Sequence, residues 1–133
     1  MTATMIARLI ERGVLSWDLS IGKALGAVVP EMDNSYRAVT VEDLLSHWSG
    51  LVGTMTELDI WDGNLWRSTK AKSALRLDIA KEALTVIPQA QPRVVFHYSN
   101  AGYVIAGSMA ERAAGKPWDE LMINELFEPL GMK

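Results

Sequence analysis

At 133 residues the chain is of a length for one domain and can bury a sizeable core; 49% hydrophobic residues and five tryptophans set it apart from disordered chains. The net charge of −3 comes from both signs mixed along the sequence, so no basic footprint for nucleic acid is present. There is no cysteine, which excludes disulfides, thiolate ligands and a cysteine nucleophile, and no apolar run approaches the roughly eighteen residues of a membrane span.

Met1-Thr2-Ala3-Thr4-Met5 lacks the charged and apolar regions of a signal peptide, which leaves the compartment open. It leads directly into an apolar helical pattern, as a fragment of a longer chain would. Met5, Ile6, Leu9 and Ile10 recur at helical spacing, with Thr2 or Thr4 as the expected cap and Gly13 as the left-handed terminator after Arg12. Val14 to Val29 reads as a loop holding a short turn of helix, closed by Pro30. Thr40-Val41-Glu42-Asp43 fits a capping box with Asp in the place of Glu, and a short helix follows through Leu44 and Leu45 to near His47. Ser49-Gly50-Leu51, Gly53 and Gly63-Asn64 are breaks.

Ala74, Leu77, Ala80 and Leu84 place a helix between Lys70 and Val86, bounded by Pro88. Gln89 to Arg93 is irregular, and Val94-Val95-Phe96 is too short to assign by period. Asn100 to Ala114 reads as a helix ended by Gly115. Pro117 suits the first turn of a last helix through Leu121, Leu126 and Phe127, stopped by Pro129 and Gly131. The sum is predominantly α, a single helical unit over 1–133 with one small hairpin or none.

The stretch with most chemical potential is Phe96-His97-Tyr98-Ser99-Asn100-Ala101-Gly102-Tyr103. Asn100 is the expected N-cap, and Tyr98 then stands just outside a helix N-terminus, where partial positive charge collects.

Four stretches resemble one family. Leu44-Leu45-Ser46-His47-Trp48-Ser49-Gly50-Leu51 resembles the "LLxHxSGL" segment of the serine β-lactamase-like hydrolases, which include class C β-lactamases, penicillin-binding DD-peptidases and related esterases. Tyr98-Ser99-Asn100 is similar to its "YxN" motif, Pro129-Leu130-Gly131-Met132 to its "PLGM", and Leu9-Ile10-Glu11-Arg12-Gly13-Val14-Leu15 to the helix end after its nucleophile. The resemblance covers essentially the whole chain, in the family's order. It implies the helical subdomain of the β-lactamase/transpeptidase-like fold without its α/β sheet part, with the Ser-x-x-Lys pair lying before residue 1 and the Lys-Thr-Gly or His-x-Gly strand beyond Lys133. It also implies a catalytic Tyr98 that helps move a proton, a substrate-binding Asn100, and an ester, peptide or β-lactam as the full-length family's substrate. The family often has Pro-Gly before this motif; here Arg93 follows Pro92, so a non-glycine must meet a position that tolerates positive φ.

Internal substitutes for the serine are poor. Ser20-Ile21-Gly22-Lys23 matches Ser-x-x-Lys, but Gly22 costs about 1 kcal/mol against a rigid helix start, and short motifs of this kind arise by coincidence. A triad from Ser49 or Ser99 with His47 or His97 lacks an identifiable orienting group and oxyanion hole. His47 is expected to tie down the Ser49-Gly50 turn. Two histidines without convergent carboxylates make no metal site, and no cofactor is expected. Trp48, Trp61, Trp66 and Trp118 are expected in core or interface space.

Bringing a phenol from about 10 to near 7 requires about 4 kcal/mol, which nearby ammonium groups can supply. None of Lys23, Lys70, Lys72, Lys81, Lys116 and Lys133 matches the family's two lysines, so Tyr98 alone should stay neutral. Two expectations follow: a serine-hydrolase fragment inactive alone, or a non-catalytic helical binding or assembly module. Either is expected to self-associate through an exposed apolar face, by exchange of the N-terminal helix for instance.

Overall fold

The computed structural model describes residues 1–54, 56, 58 and 67–132; the Gly63-Asn64 break, Trp61, Trp66 and Lys133 lie outside them. The helices are α1 (Thr2–Glu11), α2 (Ile21–Leu25), α3 (Val41–Leu45), α4 (Lys72–Thr85), α5 (Asn100–Ala114) and α6 (Trp118–Met122), with a 3₁₀ turn at Asn34–Tyr36. α6 continues into a π-helical turn over Ile123–Phe127. Among the described residues there is no strand, only an isolated antiparallel bridge between Ser20 and Thr40. The predominantly α reading holds.

α5 is the axis. Ala101, Gly102, Ile105, Ala106, Met109 and Ala110 are all buried, and α1, α2, α3, α4 and α6 all pack on it. Its small side chains let neighbours come close. A Cβ on Gly102 would stand 3.0 Å from the Leu44 carbonyl oxygen, so glycine brings the first turn of α5 against the end of α3. α1 contributes Met5, Ile6 and Leu9 to this core, each burial worth about 1.5–3 kcal/mol.

The helix ends follow local chemistry. α1 terminates at Arg12, with Gly13 at φ +72° as expected, and the Arg12 guanidinium pairs with Glu125 of the π turn. Neither Thr2 nor Thr4 caps its start: the helix already includes Thr2, and Met1 precedes it without a side-chain cap. At α3 the capping box closes. Asp43 N donates to Thr40 Oγ1 at 3.3 Å and Thr40 N to Asp43 Oδ2 at 2.9 Å. Asp substitutes for Glu because its carboxylate still reaches the free N–H of the cap residue.

α4, α5 and α6 converge on one buried carboxylate. Glu111 Oε1 accepts from Ser73 Oγ at 2.6 Å, from Arg76 Nη1 at 2.5 Å and from Trp118 N at 2.7 Å. The Arg76 guanidinium also lies 5.4 Å over the Trp118 ring. Trp118 is thus half-buried at a helix junction. Trp48, by contrast, is 39% exposed with its face turned edge-on to Phe96 at 6.4 Å, and fills no core space.

Candidate functional site

Two segments far apart in sequence, 47–53 and 97–103, are joined by hydrogen bonds where α3 ends and α5 begins. His97 N donates to the His47 carbonyl at 2.8 Å, and Asn100 N to the Gly53 carbonyl at 3.3 Å. Ser99 N donates to His47 Nδ1 at 3.3 Å. Ser99 Oγ, fully buried, donates to the Val52 carbonyl at 2.6 Å and accepts from Gly102 N at 3.2 Å.

Ser99, not Asn100, is therefore the N-cap of α5. Its backbone is extended, at φ −144° and ψ 122°, and its hydroxyl reaches a free N–H of the first turn. Asn100 is already helical, which frees its amide side chain to face outward. Tyr98 Oη donates to Asn100 Oδ1 at 3.2 Å, so the two predicted site residues are brought together at an exposed helix entrance. Tyr98 is 57% exposed, one ring face resting on His47 at 4.4 Å between centroids. Tyr103 supports that imidazole at 5.5 Å and donates its hydroxyl to the Leu45 carbonyl at 3.1 Å.

The loop leading into Tyr98 is held by backbone bonds on Trp48 and Gly50. Arg93 N donates to the Trp48 carbonyl at 2.7 Å and Gln89 N to the Gly50 carbonyl at 2.9 Å. Arg93 has φ +65°, as the loss of the usual glycine after Pro92 implies, and its guanidinium pairs with Asp43 at 3.2 Å. Gly50 sits at φ +71° with its missing Cβ only 2.2 Å from the Ala90 carbonyl oxygen, so only glycine lets this loop pass. Gln89 Oε1 receives both Gly53 N and the His97 ring at 3.1 Å.

His47 does not tie the Ser49-Gly50 turn through its ring; its Nδ1 crosses 52 positions to Ser99. One sequence carries no signal for that pairing beyond the histidine's place at a helix end. The triad candidates do not assemble either. Ser99 Oγ is engaged with backbone, Ser49 Oγ is buried without a partner, and the His97 ring bonds Gln89. Ser20 caps α2 by accepting from Lys23 N at 3.4 Å, a backbone contact that accounts for the Ser-x-x-Lys match. Among the described residues no cluster of histidine and carboxylate side chains forms a metal site, and no helix is long and apolar enough to cross a membrane.

The Beta-lactamase family model matches residues 1–133, the whole of the chain that carries this helix-entrance site. The chain belongs to the β-lactamase family. A curated relative, penicillin-binding protein 4 of Amycolatopsis lactamdurans, is 32% identical over 133 residues, which cover 98% of this chain and 32% of that protein. Among solved structures, the D-stereospecific amidohydrolase from Streptomyces sp. superposes with a TM-score of 0.74 at 27% identity, over 98% of this chain and 39% of that one. The D-amino acid amidase from Ochrobactrum anthropi gives 0.72 at 27% identity, over 99% and 40%. The chain thus spans 32% and 27% of the lengths of two curated penicillin-binding proteins it matches. It is a helical portion of a serine β-lactamase-like hydrolase family fold.

Proposed function

We propose that the paired segments 47–53 and 97–103 form the tyrosine-and-asparagine side of an acyl-transfer site in a β-lactamase-like serine hydrolase. The observation that carries this is the Tyr98–Asn100 pair: a phenol and an amide hydrogen-bonded to each other at 3.2 Å, exposed, on a backbone fixed from beneath. In the proposed reaction a serine hydroxyl attacks a carbonyl and the leaving group departs with a proton. Water then cleaves the acyl-serine ester. Tyr98 relays the proton between serine and leaving group, and Asn100 holds the substrate's polar atoms and orients the phenol.

The nucleophile and its lysine come from outside these 133 residues. Among the described residues no serine hydroxyl bonds an imidazole nitrogen or a lysine ammonium. Lys70, Lys72 and Lys116 pair with Asp78, Asp119 and Glu120. The substrate class is an ester, a peptide or a β-lactam.

Alone, the chain turns over neither nitrocefin nor p-nitrophenyl esters, and neither a fluorescent penicillin nor a fluorophosphonate labels it. A covalently labelled serine in the purified chain contradicts this.

The isolated chain also self-associates. Val94, Val95 and Phe96 are exposed in succession, Phe96 with its ring near Trp48, and Ile87 is 79% exposed nearby in sequence. Exchange of α1 would withdraw Met5, Ile6 and Leu9 from the core, so contact through the 94–96 run is the less costly route. Light scattering at rising concentration tests it, and a monomer throughout contradicts it.

A further inference from the structure

His47 adopts φ +66°, a left-handed conformation that costs a non-glycine residue about 1 kcal/mol or more. Such a residue persists where its surroundings determine it. Here they do so through both backbone and ring. The carbonyl accepts from His97 N, Nδ1 accepts from Ser99 N, and the imidazole lies against the tilted rings of Tyr98 and Tyr103.

The direction of the Ser99 bond fixes the tautomer. A backbone N–H can only donate, so Nδ1 offers its lone pair and the ring proton sits on Nε2. A second proton would land on Nδ1 and set two donors against each other.

We propose that His47 is the positioning residue for Tyr98, holding the Tyr98-Ser99-Asn100 entrance to the end of α3 only while its imidazole is neutral, so that acid releases that entrance. This rests on the reading of Tyr98 as the proton relay. Histidine is suited to the role because its ordinary range, about 6.5, lies where cells and their surroundings differ.

The groups that face the ring do not supply compensation. From the 97–103 side come the phenols of Tyr98 and Tyr103, and His97, whose own ring bonds Gln89. Of the charged groups on the neighbouring elements, Asp43 of α3 and Arg93 of the proline loop are paired with each other. Among the described residues no carboxylate is hydrogen-bonded to the His47 ring.

The test uses this chain and needs no turnover. Amide hydrogen exchange at Ser99 is followed by NMR from pH 8 to pH 5, corrected for intrinsic exchange, with the His47 ring signals recorded in the same samples. Ser99 protection falls about tenfold, the scale of one lost hydrogen bond, along His47's own titration curve. Gly115 N, bonded to the Glu111 carbonyl at 2.8 Å, stays protected as the control.

His47→Asn supplies an amide oxygen near the Nδ1 position, and Asn tolerates left-handed φ. It keeps Ser99 protected at every pH. His47→Phe keeps a ring without the acceptor and loses the protection throughout.

Ser99 protection that is flat across the His47 titration, or that falls equally in His47→Asn, overturns the proposal. If Tyr98 proves dispensable for acyl transfer while Ser99 still follows the imidazole, the functional reading falls, and with it the positioning role. The acid-sensitive tie itself then stands.

Discussion

Ser99 Oγ donates to the carbonyl of Val52 at 2.6 Å across 47 positions of sequence, from a site with no solvent access. The same oxygen caps α5 at Gly102. One hydroxyl therefore fixes both where the helix begins and which loop it meets, and Tyr98 and Asn100 inherit their placement from it.

Ser99→Ala removes the cap and leaves two buried backbone groups short of a partner. The expected cost is about 2–4 kcal/mol, a cap plus an unsatisfied group. Urea unfolding followed by circular dichroism measures it; a loss below about 0.5 kcal/mol would mean the loop relaxes around the deletion.

At Arg93 two effects oppose. Glycine relieves a left-handed backbone at φ +65°, worth about 1 kcal/mol. It also removes the Asp43 pair, whose guanidinium is more than half exposed, worth about 0–1 kcal/mol. The N–H to Trp48 is retained. Arg93→Gly is therefore neutral to stabilising by up to about 1 kcal/mol, and a lower melting temperature contradicts the strain argument.

Glu111→Ala deserts Ser73, Trp118 N and an Arg76 guanidinium that is mostly buried. The expected loss is about 3–5 kcal/mol, as for one partner taken from a buried pair. Glu111→Gln keeps an acceptor oxygen for the three donors and loses less. The ordering Ala worse than Gln is read from denaturant midpoints.

Asp33 caps the 3₁₀ turn by accepting Ser35 N at 2.8 Å, and the hydrogen bonds from Ser35 hold its carboxyl below the ordinary value of 3.8. A depressed carboxyl stabilises the fold above pH 3.8 and loses that contribution as pH falls through the lower folded value. The wild type's advantage over Asp33→Ala should be constant from pH 7 to 5 and shrink toward pH 2.5 in urea melts.

Much of this was legible in the sequence because it is local. Gly13, the Thr40–Asp43 box and the end of α5 at Gly115 each follow from residues within a turn of one another, whereas the positive φ of Arg93 was legible only through the family resemblance. Asn100 misled because serine and asparagine both cap helices, and only the extended backbone of Ser99 decides between them. The His47–Ser99 and Glu111–Ser73 bonds span 52 and 38 positions, and side-chain pairing at that range leaves no period or spacing to read. For Trp48 the expectation of core or interface space stayed open for a related reason. A large apolar residue beside a helix end suits either, and the loop from Gln89 to Val95 bonds its backbone and leaves the indole outside the core.

The central claim is that Tyr98 moves a proton in acyl transfer once a serine is supplied. Its most direct measurement is the acylation rate of a chimera in which residues 1–133 replace the matched third of the Amycolatopsis lactamdurans penicillin-binding protein 4, read with a fluorescent penicillin. Tyr98→Phe should lower that rate by about 10²–10⁴-fold, the range of a lost acid–base group, while circular dichroism stays unchanged. A folded, labelled chimera in which Tyr98→Phe acylates within twofold of its parent would contradict the assignment.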